Sequence, residues 1–323
     1  MKKVFLLTLL FALIGTLGFS QTDQAWSVNT ASRSSITPDK AVARLAYPTV
    51  FKLFNLDIEP LRKELFSVVD KSVKRSTIIS LPNANGGIER FEVWEASNFE
   101  PGLQAKFPEI RAYSGKGITD PASILKLSIS PQGIQTMVFR TGTANEYIEP
   151  YSQDHTVYSV FASQRAKGKL PWVCSTVDTE LAAGLNAKVY NPNGPTSNTG
   201  EMRTMRLAQS CNGEYSNFFG AFNIGQINLV YAAFNATLTR CNGCYEKDLA
   251  IHLNLIANSF EQQIIFFDPA TDPYTTLANW NAQLQNLLNT VVGDANYDIG
   301  HMFGASGGGG SAKRRAERFL MLF

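Results

Sequence analysis

Histidine is scarce in this chain: His155, His252 and His301 are the only three in 323 residues. No two of them stand at helical spacing, so a zinc cage with a His pair on one helical face is excluded by count and position. Cysteine is scarce as well, at four. Cys241-Asn-Gly-Cys244 has no second close Cys/His pair, which rules out a zinc knuckle. No strand leads into it and no helix opens on it, so it does not read as a thioredoxin-type redox pair. Charge of one sign is missing too: 29 basic residues against 27 acidic ones give a net charge of +2. That leaves no electrostatic case for a nucleic-acid partner. After the N-terminal segment there is no apolar run near the ~20 residues that span a bilayer. The phosphate-loop pattern is absent, because Lys313 is followed by Arg314.

What is present starts at the N-terminus. Lys2-Lys3 precede an apolar run over 4–19, and Gly18-Phe19-Ser20 sets small residues at the −3 and −1 positions of a cut before Gln21. This reads as a signal peptide over 1–20, so the mature chain is secreted or extracytoplasmic and leaves the membrane after cleavage. In that compartment cysteines usually pair. Cys174, Cys211, Cys241 and Cys244 allow several connectivities, among which the sequence does not choose.

Along the mature chain, Asp57 is a helix cap, with Pro60 in the first turn and Ile58, Leu61 and Leu65 on one side. Strand patterns at 77–81 and 88–94 flank the turn Pro82-Asn-Ala-Asn-Gly-Gly87 and predict a hairpin. Further strands are expected over 124–129, 135–139, 147–148 and 156–161. Together they predict a mainly antiparallel β domain over 21–189. Tyr190-Asn-Pro-Asn-Gly-Pro-Thr-Ser-Asn-Thr-Gly200 is a linker by composition, spanning 190–200.

Beyond it the pattern changes to alternating strands and helices. Ile224, Ile227, Val230, Tyr231, Phe234 and Leu238 fall on one helical stripe. Ile251, Leu253 and Leu255 alternate with His252 and Asn254, which puts His252 on a solvated or partner-facing side. An apolar strand is expected over 263–267. A second helix carries Leu277, Trp280, Leu284 and Leu288 and closes at Gly293. A last strand over 299–305 runs into four consecutive glycines, Gly307 to Gly310. The fold class is α+β, and its second part, 201–312, reads as half of an α/β layer. The apolar faces around Leu253 and Leu284 are therefore expected to lack cover. The tail 313–323 breaks with the preceding composition and reads as frameshifted. Gly304-Ala-Ser306-Gly-Gly308 matches G-x-S-x-G, but glycines cannot open the helix a nucleophile elbow needs, and no Asp or His follows.

Several runs carry a family resemblance. They are Phe91-Glu-Val-Trp-Glu95, Leu103-Gln-Ala-Lys-Phe-Pro-Glu-Ile-Arg111, Pro131-Gln-Gly133, Tyr245-Glu-Lys-Asp248, Asp268-Pro-Ala-Thr-Asp-Pro-Tyr274 and Ala295-Asn-Tyr-Asp-Ile-Gly-His301. Together they resemble the bacterial secreted reprolysin-like zinc metalloendopeptidases, metzincins made with an N-terminal propeptide. The resemblance implies a propeptide over 21–189, a partial catalytic domain over 201–312, zinc as cofactor, protein or peptide substrates, and a propeptide–protease contact. It also implies that Ile299, Gly300, His301, Met302, Phe303, Gly304 and Ala305 form the edge strand on which substrate pairs. Pro171-Trp-Val-Cys174 resembles a P-x-x-C cysteine switch, with a disulfide or an inert thiol as the alternatives for Cys174. The family's H-E-x-x-H-x-x-G-x-x-H motif is missing, since no His-Glu dipeptide occurs in the sequence. The resemblance thus implies a chain truncated before its zinc helix, with no metal ligand or catalytic residue to carry over and no zinc bound. The alternative is a non-enzymatic secreted binder that caps a homologous protease through the propeptide domain.

Overall fold

Alternating apolar side chains and turn-forming Asn and Gly residues build much of the first half of the chain into one antiparallel sheet. The computed structural model describes residues 25–43, 47–69, 75–164, 200–257 and 263–305, together with the backbone of Ala312–Arg314 and Phe319–Leu322. The expected signal peptide, Cys174, Ser306 and nearly all of the expected linker lie outside these residues.

The sheet's strands are β1 (Trp26–Val28), β2 (Lys52–Leu56), β3 (Thr77–Pro82), β4 (Ile88–Glu95), β5 (Arg111–Gly117), β6 (Ile124–Ser130), β7 (Gly133–Phe139), β8 (Glu146–Pro150) and β9 (Val157–Ala162). Their order in space is β1-β2-β9-β8-β7-β6-β5-β4-β3, a meander from β3 to β9 with β2 and β1 added beyond β9. The expected hairpin is present: Thr77 pairs with Val93 and Pro82 with Ile88. Its turn closes through the Asn83 and Gly86 amides, and Gly86 sits at φ 96, a conformation open to glycine at no steric cost. Ile79, Leu81, Phe91 and Val93 alternate inward and are buried. Helix α1 (Ile58–Phe66) starts at Asp57, whose carboxylate accepts the Glu59 amide, and buries Leu61 and Leu65. Arg140 is nearly buried and donates to Glu89 at 2.6 Å, Glu146 at 2.8 Å and Asp120 at 3.1 Å. Burial opposes the charge, yet Glu146 and Glu89 hold the guanidinium's pKa above its ordinary value.

The second sheet orders its strands β11-β10-β12-β14-β13, where β10 is Arg203–Cys211, β11 Ile251–Leu255, β12 Ile299–Phe303, β13 Ala312–Arg314 and β14 Phe319–Leu322. β10 runs parallel to both β11 and β12, β12 runs parallel to β14, and β13 closes antiparallel on β14. The helices are α2 (Pro101–Lys106), α3 (Gly213–Phe218), α4 (Ile227–Leu249) and α5 (Leu277–Leu287). α5 continues as a π-helical turn to Val292 and ends at Gly293. Because successive strand residues face opposite ways, Leu207 and Ile299 pack with α4 while Ala208 and Met302 pack with α5. One helix covers each face of the sheet.

Several expectations are corrected here. Ile299–Phe303 is an interior strand, hydrogen-bonded to β10 on one side and β14 on the other, so it does not supply the edge expected of Ile299 to Ala305. The run 263–267 is not a strand; it contributes only an isolated bridge from Ile265 to Cys211. Part of the tail, 312–314 and 319–322, joins the sheet. Leu253 and Leu284 are both buried rather than uncovered: Leu253 clusters with Val230 and Phe234 of α4, and Leu284 of α5 with Ala208 and Met302 of the sheet. The chain divides into one compact unit of Met1–Glu95, Tyr113–Leu127 and Gly133–Gln164, and another of Ala96–Ala112, Ser128–Gln132 and Arg165–Phe323. A division at residue 200 therefore misplaces two earlier segments.

Candidate functional site

The α4 face of the parallel sheet holds a cavity of about 110 Å³ between α4 and strands β10, β11 and β12. Leu207, Phe234, Leu238 and Leu253 give it a mainly apolar lining, to which His301, Gln209, Thr237 and Tyr245 add polar groups. β10 and β12 set Gln209 and His301 side by side, because the two residues pair in register. His301 Nδ1 lies 2.8 Å from Gln209 Oε1, and Gln209 Nε2 donates to the Ser210 carbonyl at 2.8 Å. The His301 ring meets Phe303 edge-on with centroids 4.6 Å apart. Burial penalises the imidazolium and lowers the pKa of His301 from 6.5 to about 3, so the ring is neutral. Cys241 lines the same cavity, and burial pushes its thiol up to about 11.

Where β12 leaves the sheet, Gly304 passes against Trp280 of α5. A Cβ at Gly304 would fall 2.4 Å from the indole edge, so the exit has room only for glycine. Phe303 stacks on Tyr215 of α3 at 5.2 Å and 9°. α3 is itself started by Asn212, whose Oδ1 accepts the Tyr215 amide at 3.0 Å. At the other end of β12, Asp298 accepts from the Arg206 backbone amide and guanidinium at 2.8 Å each.

The other two histidines lie elsewhere. His252 is buried rather than solvated: Nδ1 lies 2.7 Å from Glu246 Oε1 and Nε2 3.1 Å from the Ser97 carbonyl. His155 occupies a turn at φ 57 and contacts Asp39 at 3.3 Å, in keeping with a turn residue. Along β10, His252 pairs with Thr204 and His301 with Gln209. Five residues of strand at ~3.3 Å each put the two imidazoles about 16 Å apart along the sheet, far beyond shared ligation of one ion. Among the described residues no three His, Cys, Asp or Glu side chains gather into a metal-holding group. The donors among the described residues do not converge as a catalytic zinc ion requires.

Cys211, Cys241 and Cys244 are free thiols, so the pairing usual for secreted chains is not seen among them. Cys241 and Cys244 lie inside α4, not in a loop. Gln209 escaped the sequence reading, although a lone amide between Leu207 and Cys211 on the inward face of an apolar strand is a visible signal. No helix among the described residues is long and apolar enough to cross a membrane.

Residues 201–314 match the model of metallopeptidase family M12B, reprolysin-like. The match takes in β10, β11, β12 and β13 together with α3, α4 and α5, while β14 lies beyond it. No curated protein matches the chain.

Proposed function

We propose that this reprolysin-like chain is a secreted, precursor-type relative of the M12B metallopeptidases that does not cleave peptide bonds with residues 1–323 alone. The observation that carries the reading is the reprolysin-like match over a sheet whose histidines stand too far apart to share a metal. The family's substrates are proteins or peptides and its chemistry uses zinc-bound water. The matched sheet and α4, in this reading, form a scaffold for such chemistry, while the donors among the described residues lack the convergence that zinc requires. In this reading the first sheet is the propeptide part, 1–20 direct secretion, and Cys174 is a cysteine switch with no zinc in its own chain to bind.

The test is direct. The purified chain, incubated with casein and added zinc, is expected to show no chelator-sensitive cleavage and less than one tightly held zinc per chain by elemental mass spectrometry. Sequencing of the exported product is expected to begin at Gln21. Stoichiometric zinc held by three side chains of this chain, with turnover that a chelator abolishes, would overturn the proposal.

A further inference from the structure

Between β4 and β5 the chain leaves the antiparallel sheet, and Ala96–Ala112 packs as part of the second unit. Its backbone adds to the outer side of β11. The Leu255 amide donates to the Asn98 carbonyl at 2.8 Å, and the Glu100 amide donates to the Leu255 carbonyl at 3.0 Å. This makes a parallel bridge between Phe99 and Leu255. Just beyond, Glu100 Oε2 accepts the Ala257 amide at 2.8 Å.

Side chains lock the same contact. Asn98 is buried and donates to Asn235 Oδ1 at 2.9 Å and Thr239 Oγ1 at 2.8 Å, and accepts from Asn242 Nδ2 at 2.9 Å. Asn235 in turn donates to the Arg111 carbonyl at 2.9 Å. Asn242 also holds Leu253 by both backbone groups, at 2.9 and 3.0 Å, doing for that residue what a neighbouring strand would do. His252 is fixed in the same contact, with Nδ1 beside the Glu246 carboxylate and Nε2 beside the Ser97 carbonyl. Phe99, Leu103 and Ile110 are buried in the same apolar cluster as Val230 and Phe234 of α4.

We propose that Ala96–Ala112 is a permanent strap of the C-terminal unit, and that the outer side of β11 is a docking surface whose partner is the N-terminal part of this same chain. Cutting the chain in the linker leaves the two pieces joined through the strap. The piece that begins at Gly200 does not reach its native fold alone. The inference is independent of any peptidase activity, since it concerns association and folding only.

The test uses the full chain with a specific protease site inserted after Gly194. After cutting, both pieces are expected to co-elute in size-exclusion chromatography, and hydrogen exchange at 251–255 is expected to stay as slow as in the uncut chain. Separate elution of two folded pieces, or loss of protection at Leu255, would overturn the proposal. Asn98→Ala, a milder change than removing the strap, is expected to speed exchange at 251–255 by tenfold or more while leaving exchange at 77–82 unchanged. Unaltered exchange at 251–255 in that variant would also overturn it. If Leu103→Asp fails to fold as an uncut chain, the Asn98→Ala measurement still decides; if it folds, its pieces are expected to part after cutting, and their continued co-elution counts against the strap.

Discussion

At the scale of single residues, His301 is a buried base that must stay neutral. Burial lowers its pKa from 6.5 to about 3. The unfolded chain therefore takes up a proton near pH 6.5 that the folded chain refuses until about pH 3. The stability tied to this ring is complete above the upper value and drains as pH falls toward the lower one, by at most about 1.4 kcal/mol per pH unit. Cys241, in the same cavity, is held neutral by burial and does not titrate in that window. Wild-type protein is expected to lose more thermal stability between about pH 7 and about pH 4 than His301→Gln. Equal losses in the two proteins would mean that the imidazole is not sealed from water. Little of this was legible in the sequence. The alternation of β11 correctly turned His252 away from the leucines, but Glu246 and Ser97, which bury it, are brought there by the fold. The Asn235–Thr239–Asn242 stripe was legible in principle, since its spacing puts three polar groups on one face of an apolar helix. Each member left unmatched in the interior would cost about 1–3 kcal/mol, so the stripe signals a buried polar partner, which is Asn98.

At the scale of elements, local chemistry decided most of what could be read. The Asp57 cap, the Asn-Gly hairpin, the Gly293 stop and the α4 stripe from Ile227 to Leu238 all rest on residues close in sequence and all appear, although Ile224 is exposed and precedes the helix. Strand placement within a sheet does not rest on such residues. An apolar run such as β12 looks the same at an edge or in the interior, and β10 and β14 decide which it is. The run 263–267 shows the converse: Ile264 and Ile265 are buried as packing around Cys211, with no ladder to join. Gly304 tests how tightly β12 is seated on α5. Gly304→Val places atoms where Trp280 already stands and is expected to cost about 1–3 kcal/mol, read as a lower urea midpoint. A midpoint equal to wild type would show that Trp280 moves aside freely.

At the scale of the whole molecule, each unit owns a core. Leu61 and Leu65 anchor the first, and Leu284 and Leu288 lie in the second. Calorimetry is expected to resolve two transitions, with Leu61→Ala lowering one and Leu284→Ala the other, each by about 2–5 kcal/mol. A single transition that both variants shift alike would refute separate cores. The strands of the antiparallel sheet all precede residue 163 and those of the second sheet all follow residue 202, but the compact units do not divide so simply. The linker composition gave no hint of the strap, because Asn98 and its partner Asn235 are 137 positions apart and neither carries a local sign of the other.

Dissecting the gene follows from this. A reading frame opened at Gly200 encodes a body whose rib was left behind in the discarded half, and the hollow would fill with solvent or with a neighbour. Transplanting 96–112 to the front of that frame, or supplying it as a free peptide, restores what the cut removed.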